Sequence, residues 1–216
     1  MSEQPTPSQV RLRAQAHCTI VQALFPWGRG SSAGQRRDLI TAPVAGHYAT
    51  LQLSNWPRNQ GETAPVRWSI NEQKGIVIRW PYAYPLSAPS APLDRVLAQP
   101  VVERVHLKEG QSATFSVRCV PQRAEPHHRG DPSTRGIVRP IVDDDEVAAW
   151  LQGRLAHAFR DIEITQLRHQ MYSLEQSRGR LHAVQADIRA RVADPLLAAQ
   201  AMVGRCRAYG FGLPVF

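Results

Sequence analysis

Residues 180–192, RLHAVQADIRARV, alternate apolar and polar positions with a period of two, and this stretch restricts the fold more than any other. Val184, Ala186, Ile188, Ala190 and Val192 fall on one side; Gln185, Asp187, Arg189 and Arg191 fall on the other. Such alternation makes a strand with one buried and one wet face, because successive side chains of a strand point to opposite faces. Asp194 and Pro195 follow as an N-cap and a first helical residue, so the strand hands over to a helix, PLLAAQAMV, apolar on most sides and expected to be buried. The chain closes on VGRCRAYGFGLPVF, expected to finish as a strand.

Working back from that anchor, ATFSVRCV (113–120) reads as a strand and DIEITQLRHQMYS (161–173) as another. Between them, DDDEVAAWLQGRLAHAF (143–159) reads as an amphipathic helix with Val147, Leu151, Leu155 and Phe159 on one face. Its acidic start invites a metal reading, but acids at a helix N-terminus complement the macrodipole and need no metal. The second half therefore reads strand, helix, strand pair, helix, strand, the βαββαβ order of a ferredoxin-like fold. That topology also underlies the RNA-recognition motif.

The first half holds the same ingredients less clearly. Residues 9–18 alternate as a strand, and a short helix is expected to follow and to end before Pro26. WGRGSSAGQRRD (27–38) reads as an exposed basic loop, and HYATLQLS (47–54), VRWSI (66–70) and GIVIRW (75–80) as short strands. The proline-rich stretch 81–100 reads as a linker, which sets two domains at 1–98 and 101–216. The fold class expected is α+β, two tandem ferredoxin-like (RRM-like) domains with a C-terminal glycine-rich loop.

Charge says what such a fold would meet. The formal net charge is +8, and all but two of the 26 basic residues, Lys74 and Lys108, are arginines. A GC-rich genome favours arginine codons but does not unbalance charge, so the excess points to a polyanion. Arginine grips phosphate in two-point fashion and stacks on bases. The basic residues concentrate in 118–139, with Arg118, Arg123, Arg129, Arg135 and Arg139 beside His127 and His128, spaced too irregularly for one helix face. A long basic loop or loose hairpin that follows an RNA backbone is the expectation. The three cysteines, Cys18, Cys119 and Cys206, include no CxxC pair and so give no zinc or disulfide framework. No apolar run approaches the ~20 residues of a membrane span, and the N-terminus lacks a signal-peptide pattern, so a cytoplasmic protein without membrane contact is expected.

The ending RLHAVQADIRARVADPLLAAQAMVGRCRAYGFGLPVF resembles the C-terminus of the CRISPR repeat-RNA endoribonucleases of the RAMP superfamily, the CasE/Cse type of subtype I-E or its type IV counterpart. Their glycine-rich loop, G-x-G-x-x-K-A-x-G-x-G-L, is matched by MVGRCRAYGFGL, with Met202 at the first glycine position and Arg207 for lysine. HLKEGQSATFSVRCVPQRAE and GIVRPIVDDDEVAAWLQGRL resemble two further family segments in the same order.

The resemblance implies cleavage of precursor CRISPR RNA at the base of the repeat stem-loop, with no metal and no cofactor. The 2′-hydroxyl attacks the adjacent phosphorus and leaves a 2′,3′-cyclic phosphate and a 5′-hydroxyl. It implies that the product stem-loop stays bound within an effector complex, whose other subunits are then partners. The alternative is a subunit that caps the stem-loop of the guide and does not cut. The family's usual base is a histidine on an N-terminal helix ahead of an LFP motif, which points to His17 before Leu24–Pro26; the nearby Arg13, Arg29, Arg36 and Arg37 are the candidate transition-state cations. Gly204, Gly210 and Gly212, with Arg205 and Arg207, are expected to form an anion nest for RNA phosphates.

Overall fold

The computed structural model describes residues 16–53, 67–79, 87–125, 137–173, 180–207 and 210–216. Arg13, His127, His128, Arg129 and Arg135 lie outside the described residues. The chain is an α+β structure of antiparallel sheets with few helices. No described helix is long and apolar enough to cross a membrane.

The first sheet contains β1 (His17–Pro26), β2 (Arg67–Asn71), β3 (Gly75–Arg79) and β4 (Val101–Lys108), in the order β2-β3-β1-β4. Two helices, α1 (Ala33–Thr41) and α2 (Pro43–Leu53), connect β1 to β2. Three expectations fail here. Where a helix was expected to end before Pro26, His17–Pro26 is strand, because Ile20, Gln22, Ala23 and Phe25 are buried between neighbouring strands on both sides; residues 9–15 of the expected first strand lie outside the described residues. Part of the expected basic loop is α1, started by a capping box in which Ser32 and Gln35 satisfy each other's backbone N–H groups. The expected strand at 47–54 belongs to α2, whose buried Gly46, Ala49, Thr50 and Leu53 recur at helical spacing.

The proline-rich stretch contributes only a 3-10 turn at Leu93–Arg95 among its described residues. The strand after it does not open a second unit. β4 pairs with β1 from His17↔Lys108 to Leu24↔Val101, so it is the edge of the first sheet, and a division at 98–101 would strip that sheet of a strand.

The second sheet has the order β5-β9-β8, from β5 (Ser112–Cys119), β8 (Phe159–Ser173) and β9 (Arg180–Val192). The strands β6 (Gln122–Glu125) and β7 (Ile137–Pro140) pair antiparallel, with Arg123 opposite Arg139. Helix α3 (Asp144–Leu155), capped by Asp143, buries Val147, Leu151 and Leu155 on the sheet; Phe159 instead opens β8. The alternation at 180–192 forms β9 as expected, with Val184, Ala186, Ile188 and Val192 fully buried.

Helix α4 (Pro195–Gln200) is only six residues long and leaves Leu196 and Leu197 exposed, against the expectation of full burial. The tail is not a regular strand. It forms one isolated β-bridge to β5, Ser116↔Val215, and is held further by buried Phe211, Leu213 and Val215. Glycines at positive φ, 78° at Gly210 and 93° at Gly212, break the extended run.

Candidate nucleic-acid interface

Four arginines from three separate segments meet around one glycine. A hollow of about 280 Å³ is lined by Arg123 and Val138 of the hairpin, Trp150 and Arg154 of α3, and Arg205 and Arg207 of the ending. Trp150 and Arg154 are one helical turn apart, and the Arg154 guanidinium lies 5.6 Å from the Trp150 ring centroid. Gly204, at φ 80°, forms part of the wall. A Cβ there would come within 3.1 Å of the Trp150 ring and 3.3 Å of the Val120 carbonyl, so only glycine lets the ending approach α3 this closely.

Electrostatics favour an anion in this hollow. Arg123 has an acidic neighbour, Glu146, at 3.0 Å, with both side chains about half exposed. Arg205 and Arg207 are exposed, and Arg207 Nε donates to the Gly204 carbonyl at 3.3 Å. Arg67, at the start of β2, has its pKa lowered by burial and then by the positive charge of Arg207. A polyanion there would relieve that repulsion. Sequence reasoning named Arg123, Gly204, Arg205 and Arg207; it missed Trp150 and Arg154, although their spacing puts both on one helix face.

The other two glycines do not present amides. The Gly210 N–H donates to the Arg207 carbonyl at 3.1 Å and the Gly212 N–H to the Arg118 carbonyl at 2.6 Å. Both serve close packing, since a Cβ on Gly210 would sit 2.6 Å from the Trp68 ring and one on Gly212 would sit 2.3 Å from the Val203 carbonyl oxygen. Of the ending's other residues, Gly204 and Cys206 also take positive φ.

Arg118 is not at the surface either. It is 2 % exposed, sandwiched between Phe211 at 4.6 Å and Tyr172 at 5.4 Å, and its Nη1 donates to the Ile40 carbonyl of α1 at 3.2 Å. Burial lowers its pKa, offset in part by Tyr172 and by the Glu72 carboxylate. Its place on β5 explains this: Val117, Arg118 and Cys119 are all buried where the tail and the first sheet cover the strand. Arg139 remains exposed on the hairpin opposite Arg123.

The expected catalytic residues separate. His17 is exposed at the first residue of β1, paired with Lys108. Arg29 follows the other end of that strand, about 30 Å from its start at the usual rise per residue, and Arg37 is on α1. One phosphodiester cannot reach His17 and Arg29 together. The histidine that does stand on an N-terminal helix is His47 of α2. A Cβ on its neighbour Gly46 would lie 2.7 Å from the Trp68 ring, the ring edge on which Gly210 also presses. Gly46, the residue before His47, thus faces the same Trp68 ring as the glycine-rich ending. The signal that could have found it is Pro43, a helix-start residue four positions upstream, which argues against the strand reading of 47–54.

A family model described as "CRISPR associated protein" matches residues 34–214. Among solved structures, a CRISPR endoribonuclease Cse3 bound to a 19-nucleotide RNA superposes with a TM-score of 0.62 at 19% identity, covering 91% of this chain and 96% of that one. Cse3 of Thermus thermophilus, bound to an RNA representing a pre-cleavage complex, gives 0.57 at 22% identity, covering 91% and 97%. A chain of a CRISPR RNA-guided surveillance complex gives 0.52 at 15% identity, covering 90% and 97%. No curated protein matches the chain significantly.

Proposed function

The chain belongs to the family of CRISPR-associated proteins, and on that premise we propose that it is an endoribonuclease that cuts precursor CRISPR RNA at the base of the repeat stem-loop. The observation that carries this reading is the convergence of Arg123, Arg154, Arg205 and Arg207 on Gly204, a cationic hollow assembled from the hairpin, α3 and the chain's ending. A paired stem offers phosphates and groove shape rather than readable base edges, so clustered guanidinium groups are what it needs. The exposed hairpin extends that surface through Arg139. Retention of the cut stem-loop within an effector complex follows from the same grip.

The architecture supports two ferredoxin-like units. Strand order β2-β3-β1-β4 in the first, and β5-β9-β8 with the tail bridged to the far side of β5 in the second, repeat one topology. The units are residues 16–108 and 112–216, joined at Glu109–Gln111.

The chemistry proposed is metal-independent. The 2′-oxygen attacks the adjacent phosphorus, its proton passes to a base, and the 5′-oxygen leaves, taking a proton from water, to give a 2′,3′-cyclic phosphate and a 5′-hydroxyl. His47 serves as that base in place of His17, since it stands on an N-terminal helix next to Gly46, which shares the Trp68 ring with Gly210 of the ending. Arg29 and Arg37, on the loop and helix leading to α2, place positive charge near the developing phosphorane. The test is incubation of the chain with its repeat RNA in EDTA, followed by end-group analysis. Cyclic-phosphate and 5′-hydroxyl ends at the stem base support the enzyme; tight binding without cleavage makes the chain a capping subunit.

A further inference from the structure

A second groove, apart from the basic hollow, lies where α1 faces the end of β8. It measures about 700 Å³, and Arg36, Arg37, Glu72, Gln170, Met171 and Tyr172 line it. Its walls carry opposite charges that do not neutralise each other. Arg36 is committed to Ser31, donating to Oγ at 2.7 Å and to the carbonyl at 3.2 Å. Arg37 is exposed; its carbonyl accepts from Thr41 Oγ1 at 2.9 Å, and its guanidinium makes no hydrogen bond or ion pair among the described residues. Across the groove, Glu72 Oε1 accepts from Gln170 Nε2 at 3.0 Å, and the Tyr172 hydroxyl donates to Gln170 Oε1. This relay holds the carboxylate in place while Oε2 keeps its acceptor sites open among the described residues. Met171 is 56% exposed beside it, an apolar platform one residue wide.

We propose that this groove holds one unpaired nucleotide flanking the stem, with its phosphate on Arg37 and its base read by Glu72. The proposal rests on the repeat-RNA reading above and adds to it a site and a base preference. A bare phosphate would be opposed by Glu72 and a simple amine by the two arginines. A nucleotide satisfies both walls, because it carries an anion at one end and N–H donors at the other. The volume suits a ligand of that size. The polarisable Met171 side chain offers the base a face to lie on.

The carboxylate sets the preference. Glu72 can accept from the exocyclic amines of guanine, adenine and cytosine. Uracil has no exocyclic amine and offers Glu72 a single donor, N3–H, between two carbonyl oxygens that repel the carboxylate, so it is disfavoured.

The experiment is an RNA affinity measurement on the full chain with its repeat stem-loop, either blunt or bearing one unpaired nucleotide at the 5′ or 3′ end, the base varied among all four. At one end, an added guanosine, adenosine or cytidine should tighten binding about tenfold over the blunt stem, and uridine clearly less. Glu72→Gln, close in shape and able to keep the Gln170 bond, should level the four bases; Arg37→Ala should remove most of the gain. Arg123→Ala should weaken blunt and flanked stems alike. A blunt stem bound well, with no gain from any flank or with a gain indifferent to Glu72→Gln and Arg37→Ala, overturns the proposal and leaves the stem reading intact. Failure to bind any stem-loop overturns the repeat-RNA reading itself.

Discussion

The Arg118 guanidinium lies 4.6 Å from the centroid of the Phe211 ring, so a buried cation on β5 clasps the chain's glycine-rich ending. The same group reaches α1 through the Ile40 carbonyl at 3.2 Å. One side chain thereby ties together three elements distant in sequence. Arg118→Ala removes the stacking and the bond and leaves a cavity, at a cost of about 3 kcal/mol. For a chain of this size that lowers Tm by roughly 10 °C. Arg118→Met, which refills the volume without a buried charge, should cost less than half as much. Thermal unfolding of the two variants checks the order.

Gly210 is required by space as well as by backbone angle. A Cβ would stand 2.6 Å from the Trp68 ring at φ 78°, so Gly210→Ala should destabilise by about 2–3 kcal/mol. RNA affinity should fall at every salt concentration, because the ending is displaced and no charge is lost. An alanine variant as stable as the parent would show that this packing is dispensable.

Salt dependence separates the arginines of the hollow from that packing effect. Replacing Arg123 and Arg205 by alanine removes two charges lining one surface. The slope of log K against log[salt] should become shallower by about one per lost phosphate contact. Preference among stem sequences should persist, since phosphate contacts carry no base information. Affinity measured across a salt series reads both.

His47→Ala should slow cleavage by about 10²–10⁴-fold while stem-loop binding changes little, the span expected for a lost general base. His17→Ala should leave both near the parent values, because His17 sits at the far end of β1. Single-turnover cleavage beside a binding titration distinguishes the two histidines. A large loss in His17→Ala would reverse the assignment.

Stability should bend on the acid side. His182 lies against His169, whose Nδ1 is 2.9 Å from His182 Nε2 and whose Nε2 is 2.6 Å from Asp144 Oδ1. Burial, and then the proximity of His169, lowers the His182 pKa below its ordinary value of 6.5. The unfolded chain therefore takes up this proton first. The contribution is full above about pH 6.5 and is lost as pH falls through the folded value. His182→Gln should flatten that limb of a stability-versus-pH curve.

The second half was legible because its signals are local. Alternation at 180–192, the Asp194–Pro195 start and the apolar face of α3 each follow from residues within a few positions of one another, where strand and helix periods leave no other reading. The motifs behind the family resemblance are local too, and Arg123, Gly204, Arg205 and Arg207 lie within or next to them. The first half misled for the same reason. HYATLQLS fits period two as well as 3.6, and only burial of Gly46, Ala49, Thr50 and Leu53 decides for a helix. Pairing of β4 with β1 across the proline-rich stretch leaves no mark in either segment. Nor does sequence tell an arginine that meets solvent from Arg118, which the ending buries. Periodicity and caps act over one or two turns, so the sequence alone determined most of the elements of the second half; strand order, the burial of Arg118 and the approach of Gly46 and Gly210 to one Trp68 ring depend on contacts between segments many tens of residues apart, and only the tertiary structure decided them.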